Sequence, residues 1–181
     1  MKKLVLLSLF SFFAIALSAQ NVFLTKDAKI NFNSSTPIED IIAESNQATA
    51  VLDIEKNAIQ FSVLTTSFKF RRALMEEHFN ENYIESPKFP KATFKGKIIS
   101  TVDWKNDKTS TADVKGELTM HGVTKEFTFQ AQITPGKTKI VASATLKITP
   151  EQFNIAIPSA VREKIAKEVT LKIDASFVPY K

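Results

Sequence analysis

The chain has 181 residues, with 24 lysines and arginines against 19 aspartates and glutamates, a formal charge of +5 at pH 7, and no cysteine. The charge is mild and spread along the chain, so it offers no basic stripe for nucleic acid. The missing thiol excludes disulfide staples, thiolate metal sites and cysteine nucleophiles.

Lys2 and Lys3 precede an apolar run, LVLLSLFSFFAIAL, that is too short and too terminal for a spanning helix. Small residues follow at Ser18 and Ala19, and cleavage after Ala19 is expected. Residues 1–19 are therefore read as a signal peptide, and residues 20–181 as one exported domain, periplasmic or secreted. Its size suits one core that buries roughly 70% of its unfolded surface. Twelve of the fifteen phenylalanines remain after cleavage. A side chain with no polar handle suits an interior better than a sugar-stacking platform.

Asn21 to Ser35 reads as one or two strands, with Ala28, Ile30 and Phe32 alternating against polar neighbours. The polar segment from Ser34 to Gln47 reads as a connection, with a helical turn at EDIIAES. A strand follows at Thr49–Ile54, then a tight turn at Glu55–Asn57. Ala58 to Phe68 places Ile59, Phe61 and Val63 on one face, with a parity shift near Thr66 that predicts a bulge or a strand end. From Phe70 to Tyr83 the period changes. Leu74, Met75, His78 and Phe79 fall at helical spacing, which predicts a short amphipathic helix across an open end of the sheet. Pro87 and Pro90 stop it.

Three alternating runs follow. Phe94, Gly96, Ile98, Ser100 and Val102 share one face, Ala112, Val114, Gly116, Leu118 and Met120 the next, and Phe127, Phe129, Ala131 and Ile133 the third. His121-Gly122 between the last two is a two-residue hairpin loop. Ile140, Ala142, Ala144, Leu146 and Ile148 form another strand face. Thr149 with Pro150 and Gln152 carries a helix-start signature, though only for a turn or two, and Ser159 is placed to cap a short helix through Ala166. The last strand is Val169 to Phe177.

About eight alternating strands and one or two short helices predict an all-β antiparallel barrel or a two-sheet sandwich, and the length of the runs favours the barrel. Its inner face mixes phenylalanines with Gly96, Ala112, Gly116, Ala131, Ala142, Ala144 and Ala175. These small residues fit either an elongated cavity or a solid interlocked core, and the pattern leaves both open. Catalysis finds little support. No G-x-S-x-G elbow is present, and the two histidines, His78 and His121, are best read as a helix residue and a turn residue. No metal or cofactor is expected. Trp104 reads as a hairpin-end anchor.

Two motifs carry a resemblance: SPKFPKATFKG at Ser86–Gly96 and GELTMHGVTK at Gly116–Lys125. With the strands around them, the mature chain resembles the YceI-like family, whose members are exported proteins with a lipocalin-like barrel. The resemblance implies a non-enzymatic carrier with a long isoprenoid or other amphiphilic lipid in its lumen, transient membrane contact, and a monomer or homodimer. Phe61, Val63, Phe94, Ile98, Val114, Leu118, Phe127, Phe129, Ile140, Ala142, Leu146, Leu171 and Ile173 would line that lumen. Phe70, Leu74, Met75 and Phe79 would cover or gate one end. Met75–Glu85, MEEHFNENYIE, departs from the family pattern. The alternative is a solid barrel serving as a structural or interaction module.

Overall fold

The computed structural model describes residues 21–180, so the predicted leader lies outside the described residues. The alternating runs become nine strands: β1 (Val22–Ser35), β2 (Asp40–Asp53), β3 (Ala58–Leu64), β4 (Lys69–Phe70), β5 (Lys91–Ile98), β6 (Ser110–Met120), β7 (Val123–Thr134), β8 (Ile140–Ile148) and β9 (Val169–Pro179). Every strand pairing is antiparallel. The order β1-β9-β8-β7-β6-β5-β3-β2 returns to β1 through the β1–β2 pairing, and β4 is a two-residue attachment to β2. Eight strands thus close into a barrel, in which β7 and β8 pair only through Ala131–Thr134 and Val141–Ala144.

The turns explain the connectivity. His121 and Gly122 both hold positive φ, 51° and 73°, the backbone that a two-residue hairpin of matching twist requires. At the opposite end, the segment after β5 folds back beneath the barrel. There Val102 is buried and the Trp104 indole N–H donates to Asn57 Oδ1 at 3.1 Å, so the tryptophan anchors the barrel end.

Three local expectations are corrected. The segment EDIIAES is strand, not connection, and forms the first half of β2. The β1–β2 register shifts twice: between Thr25 and Ala28 the extra residue lies on β1, and between Ser45 and Ala48 it lies on β2. A bulge moves the inward parity of the strand that carries it, so the pattern of β2 breaks at Asn46–Gln47. The helix expected from Ser159 to Ala166 shrinks to a 3-10 turn at Ser159–Val161, whereas the start signature at Thr149 opens the single turn expected of it, at Pro150–Phe153. Both lie in a crossing loop whose apolar residues are drawn down onto the barrel. The run from Phe94 to Val102 ends as strand at Ile98, and Val102 packs from the loop instead. The parity shift near Thr66 is a strand end, since β3 stops at Leu64 and a 3-10 turn covers Thr65–Ser67.

The helix α1 (Ala73–His78) continues into a π-helical turn at Phe79–Tyr83. Six residues are too few for a stable isolated helix, so tertiary contacts must hold it. Phe79 supplies them. Its ring lies 5.0 Å from Phe70, 5.9 Å from Phe68 and 6.0 Å from Phe32. Glu76 adds an ion pair to Lys69 and accepts from the Phe70 backbone N–H.

Candidate functional site

Inward side chains of the eight strands surround an elongated cavity of about 490 Å³. The choice between a hollow and a solid barrel falls to the hollow one. Its wall is mainly aliphatic and aromatic, from Val63, Phe94 and Leu118 on one side to Leu146, Leu171 and Ile173 on the other. Among the described residues, the charged side chains that meet it, Glu39, Arg72 and Lys164, lie at one end together with His78. Arg72 donates to Glu39 at 2.6 Å. Ile38 and Leu74 flank that pair, each 59% exposed. An apolar tube with a charged rim gives the cavity a mouth.

The opposite end is shut. Ile140 and Phe177 are cross-strand partners, 1% and 0% exposed, and neither borders the cavity. The Phe177 ring meets Phe61 edge-on at 6.3 Å, so Phe61 stands in the lumen and Phe177 lies under it as floor.

Of the lining residues expected from the sequence, Phe61, Val63, Phe94, Ile98, Val114, Leu118, Phe129, Ala142, Leu146, Leu171 and Ile173 border the cavity, as do Phe70, Leu74, Met75 and Phe79 near its mouth. Two do not. Ile140 has the right face but sits one pleat too low, in the floor. Phe127 stacks on Phe153, with rings 6.2 Å apart and 6° from parallel, so the crossing loop after β8 covers it. The sequence reading also missed cavity walls outside the clean strands: Ile41 on β2, Tyr83 and Ile84 after α1, and Ile155, Ile157 and Ile165 from the β8–β9 connection. Only Ile155 and Ile157 carried a signal, a short alternation just before Pro158.

Two of the hydroxyl groups on the lumen side are engaged with the backbone. Ser34 accepts from the Ala166 backbone N–H, and Thr65 donates to the Phe89 carbonyl. Burial pushes the Tyr83 phenol above its ordinary range. Among the described residues, no group of three or more His, Asp or Glu side chains is placed to hold a metal ion.

His121 ties the connections at the mouth end. Its Nδ1 lies 2.8 Å from the Phe153 carbonyl oxygen and its Nε2 2.9 Å from the Glu85 carboxylate, so both ring nitrogens face an oxygen acceptor. The Phe89 ring packs edge-on against it at 4.5 Å. Hydrogen bonds from Lys88, first, and then from His121 hold the Glu85 carboxyl below the ordinary glutamate range. A carboxyl depressed by folding stabilises the fold above its unfolded pKa, about 4.3, and that contribution is lost as pH falls through the lowered value. Glu85→Gln should therefore melt below wild type at neutral pH, and the gap should close in acid. A gap that stays constant across an acid titration of Tm would show that the charge of Glu85 plays no part.

The comparisons agree with this architecture. The YceI-like domain model matches residues 20–177. A UPF0312 protein of Pseudomonas putida is 29% identical over 125 residues, which is 65% of this chain and 62% of that protein. A UPF0312 protein of Vibrio parahaemolyticus is 36% identical over 81 residues, 44% of this chain and 40% of that one. The chain thus spans less than two thirds of the length of these relatives. Among solved structures, a polyisoprenoid binding domain from Saccharophagus degradans superposes with a TM-score of 0.75 at 15% identity, covering 89% of this chain and 99% of that one. Burkholderia cenocepacia BcnA gives 0.71 at 17% identity, covering 83% and 96%. At such identities the likeness is one of fold.

Proposed function

The chain belongs to the YceI-like domain family, and from that premise we propose that it is an exported carrier holding a long apolar chain, a polyisoprenoid or similar lipid, in its lumen. The observation that carries this reading is the cavity itself: about 490 Å³, apolar along its walls, with charge confined to the mouth. Each methylene buried there contributes about 0.8 kcal/mol before ordering costs, so a chain binds tightly with no polar motif inside the tube. The solved relative from Saccharophagus degradans is described as polyisoprenoid-binding, which supports the same ligand class. Export rests on the leader at residues 1–19, and places the protein in the periplasm or outside the cell. The exposed Leu74 and Ile38 beside the mouth suit brief contact with a membrane from which a lipid is drawn.

Native mass spectrometry of the mature protein from its own envelope, followed by organic extraction, tests this. The expected result is a bound mass that extracts as an apolar chain. A clean unliganded mass in several mild preparations overturns it.

A further inference from the structure

The lumen is not uniform along its length. Just above the floor, the inward positions of β8 and β9 are Ala142 and Ala175, which are cross-strand partners, and Ala144 one pleat higher faces Ala131 of β7. Across the barrel, β5 and β6 meet at a pair of glycines, Gly96 and Gly116. A Cβ added to either would come within 2.7 Å of the Phe94 ring. The ring therefore lies down in the slot left by two missing side chains, instead of standing across the bore. Phe129 holds it from the side, with ring centroids 5.5 Å apart. A flattened phenylalanine on one wall and alanines on the other keep the tube passable to its shut end.

We propose that this shut end is a gauge for the hydrocarbon tail. Phe94, seated on Gly96 and Gly116, sets the bore, and the alanine-lined end receives the last part of the chain. The ligand is then selected by how long and how slender its tail is. This inference rests on the chain-binding reading above. The reach follows from the fold. On β8 the lining positions run from Ile148 down to Ala142, about 20 Å along the strand at 3.3 Å per residue and about 15 Å along the axis at a tilt near 40°. Tails within that reach gain affinity with every added unit, and longer ones gain nothing more.

The test measures affinities of wild type for geraniol, farnesol and geranylgeraniol by displacement of an environment-sensitive dye, and repeats them on Ala142→Phe. A phenylalanine at that position fills the last pleat above the floor. The ratio of farnesol to geraniol affinity should fall by tenfold or more, and Ala142→Leu, a smaller intrusion, should give an intermediate loss. In Phe94→Leu, retinol, whose terminal ring is broader than the bore, should gain at least fivefold on farnesol. A farnesol to geraniol ratio unchanged in folded Ala142→Phe or Ala142→Leu overturns the length gauge. A retinol to farnesol ratio unchanged in Phe94→Leu overturns the role of Phe94. If wild type binds none of the prenols, the chain-binding reading itself fails, and the gauge falls with it.

Discussion

Ala144→Trp should remain folded and lose prenol affinity by about a hundredfold. Ala144 points into the cavity from the middle of β8, between Ala131 of β7 and Ile173 of β9. Its neighbours on the lumen side are empty space, so an indole there does not meet the close-packed atoms that make overpacking costly elsewhere. The ring instead occupies volume that a chain would use. Displacing three or four methylenes at about 0.8 kcal/mol each removes roughly 3 kcal/mol, or two powers of ten in affinity. The position also separates this variant from Ala142→Phe. One pleat nearer the mouth, the indole blocks every tail that passes it, whereas the deeper substitution shortens the tube. Circular dichroism and Tm establish the fold, and dye displacement reads the affinity. Full affinity in a folded Ala144→Trp would place the ligand outside the lumen.

How much of this was legible in the sequence depends on which physical fact fixes each position. The faces of β6, β7, β8 and β9 were plain, because a strand with one buried side writes its period into the residues. Phe70 to Tyr83 was plain for the same reason at a different period. β2 was not, since a bulge at Asn46–Gln47 shifts its parity partway along, and a bulge is fixed by the register with β1 rather than by the local pattern. Ile140 shows a second kind of limit. It shares its face with Ala142 and Ala144, yet one belongs to the floor and the others to the lumen. Alternation reports the face and says nothing about height along the barrel axis. Phe127 shows a third, for the ring that removes it from the cavity, Phe153, arrives from a loop whose path no local pattern encodes. The parking of Phe94 on Gly96 and Gly116 depends, like the bulges, on strand pairing. Both glycines were seen as small inward residues, but a slot exists only once register sets them opposite each other.

Phe177→Ala should be the most destabilising of these changes, costing about 3–5 kcal/mol. Phe177 is fully buried in the shut end, against Ile140 across the strand pair and edge-on to Phe61. Truncation leaves a void that its neighbours, fixed in a closed sheet, cannot collapse to fill. At roughly 2–4 °C per kcal/mol for a domain of this size, Tm should drop by about 10 °C or more. Leu74→Ala is the counterpart at the other end. Leu74 is 59% exposed beside the mouth, so its loss should leave Tm within a degree or two, as for surface positions in general. The contrast states where stability and access reside. A tube that admits a ligand at one end cannot pack that end tightly, so the shut end and the strand ladder must hold the barrel together. The same void has a functional reading, because removing the floor deepens the tube by one side chain. Phe177→Ala should then shift the prenol preference toward longer tails at temperatures where it is still folded, opposite in sign to Ala142→Phe. Equal Tm losses in Phe177→Ala and Leu74→Ala would refute this division of labour between the ends, and a preference moved toward shorter tails would refute Phe177 as the floor.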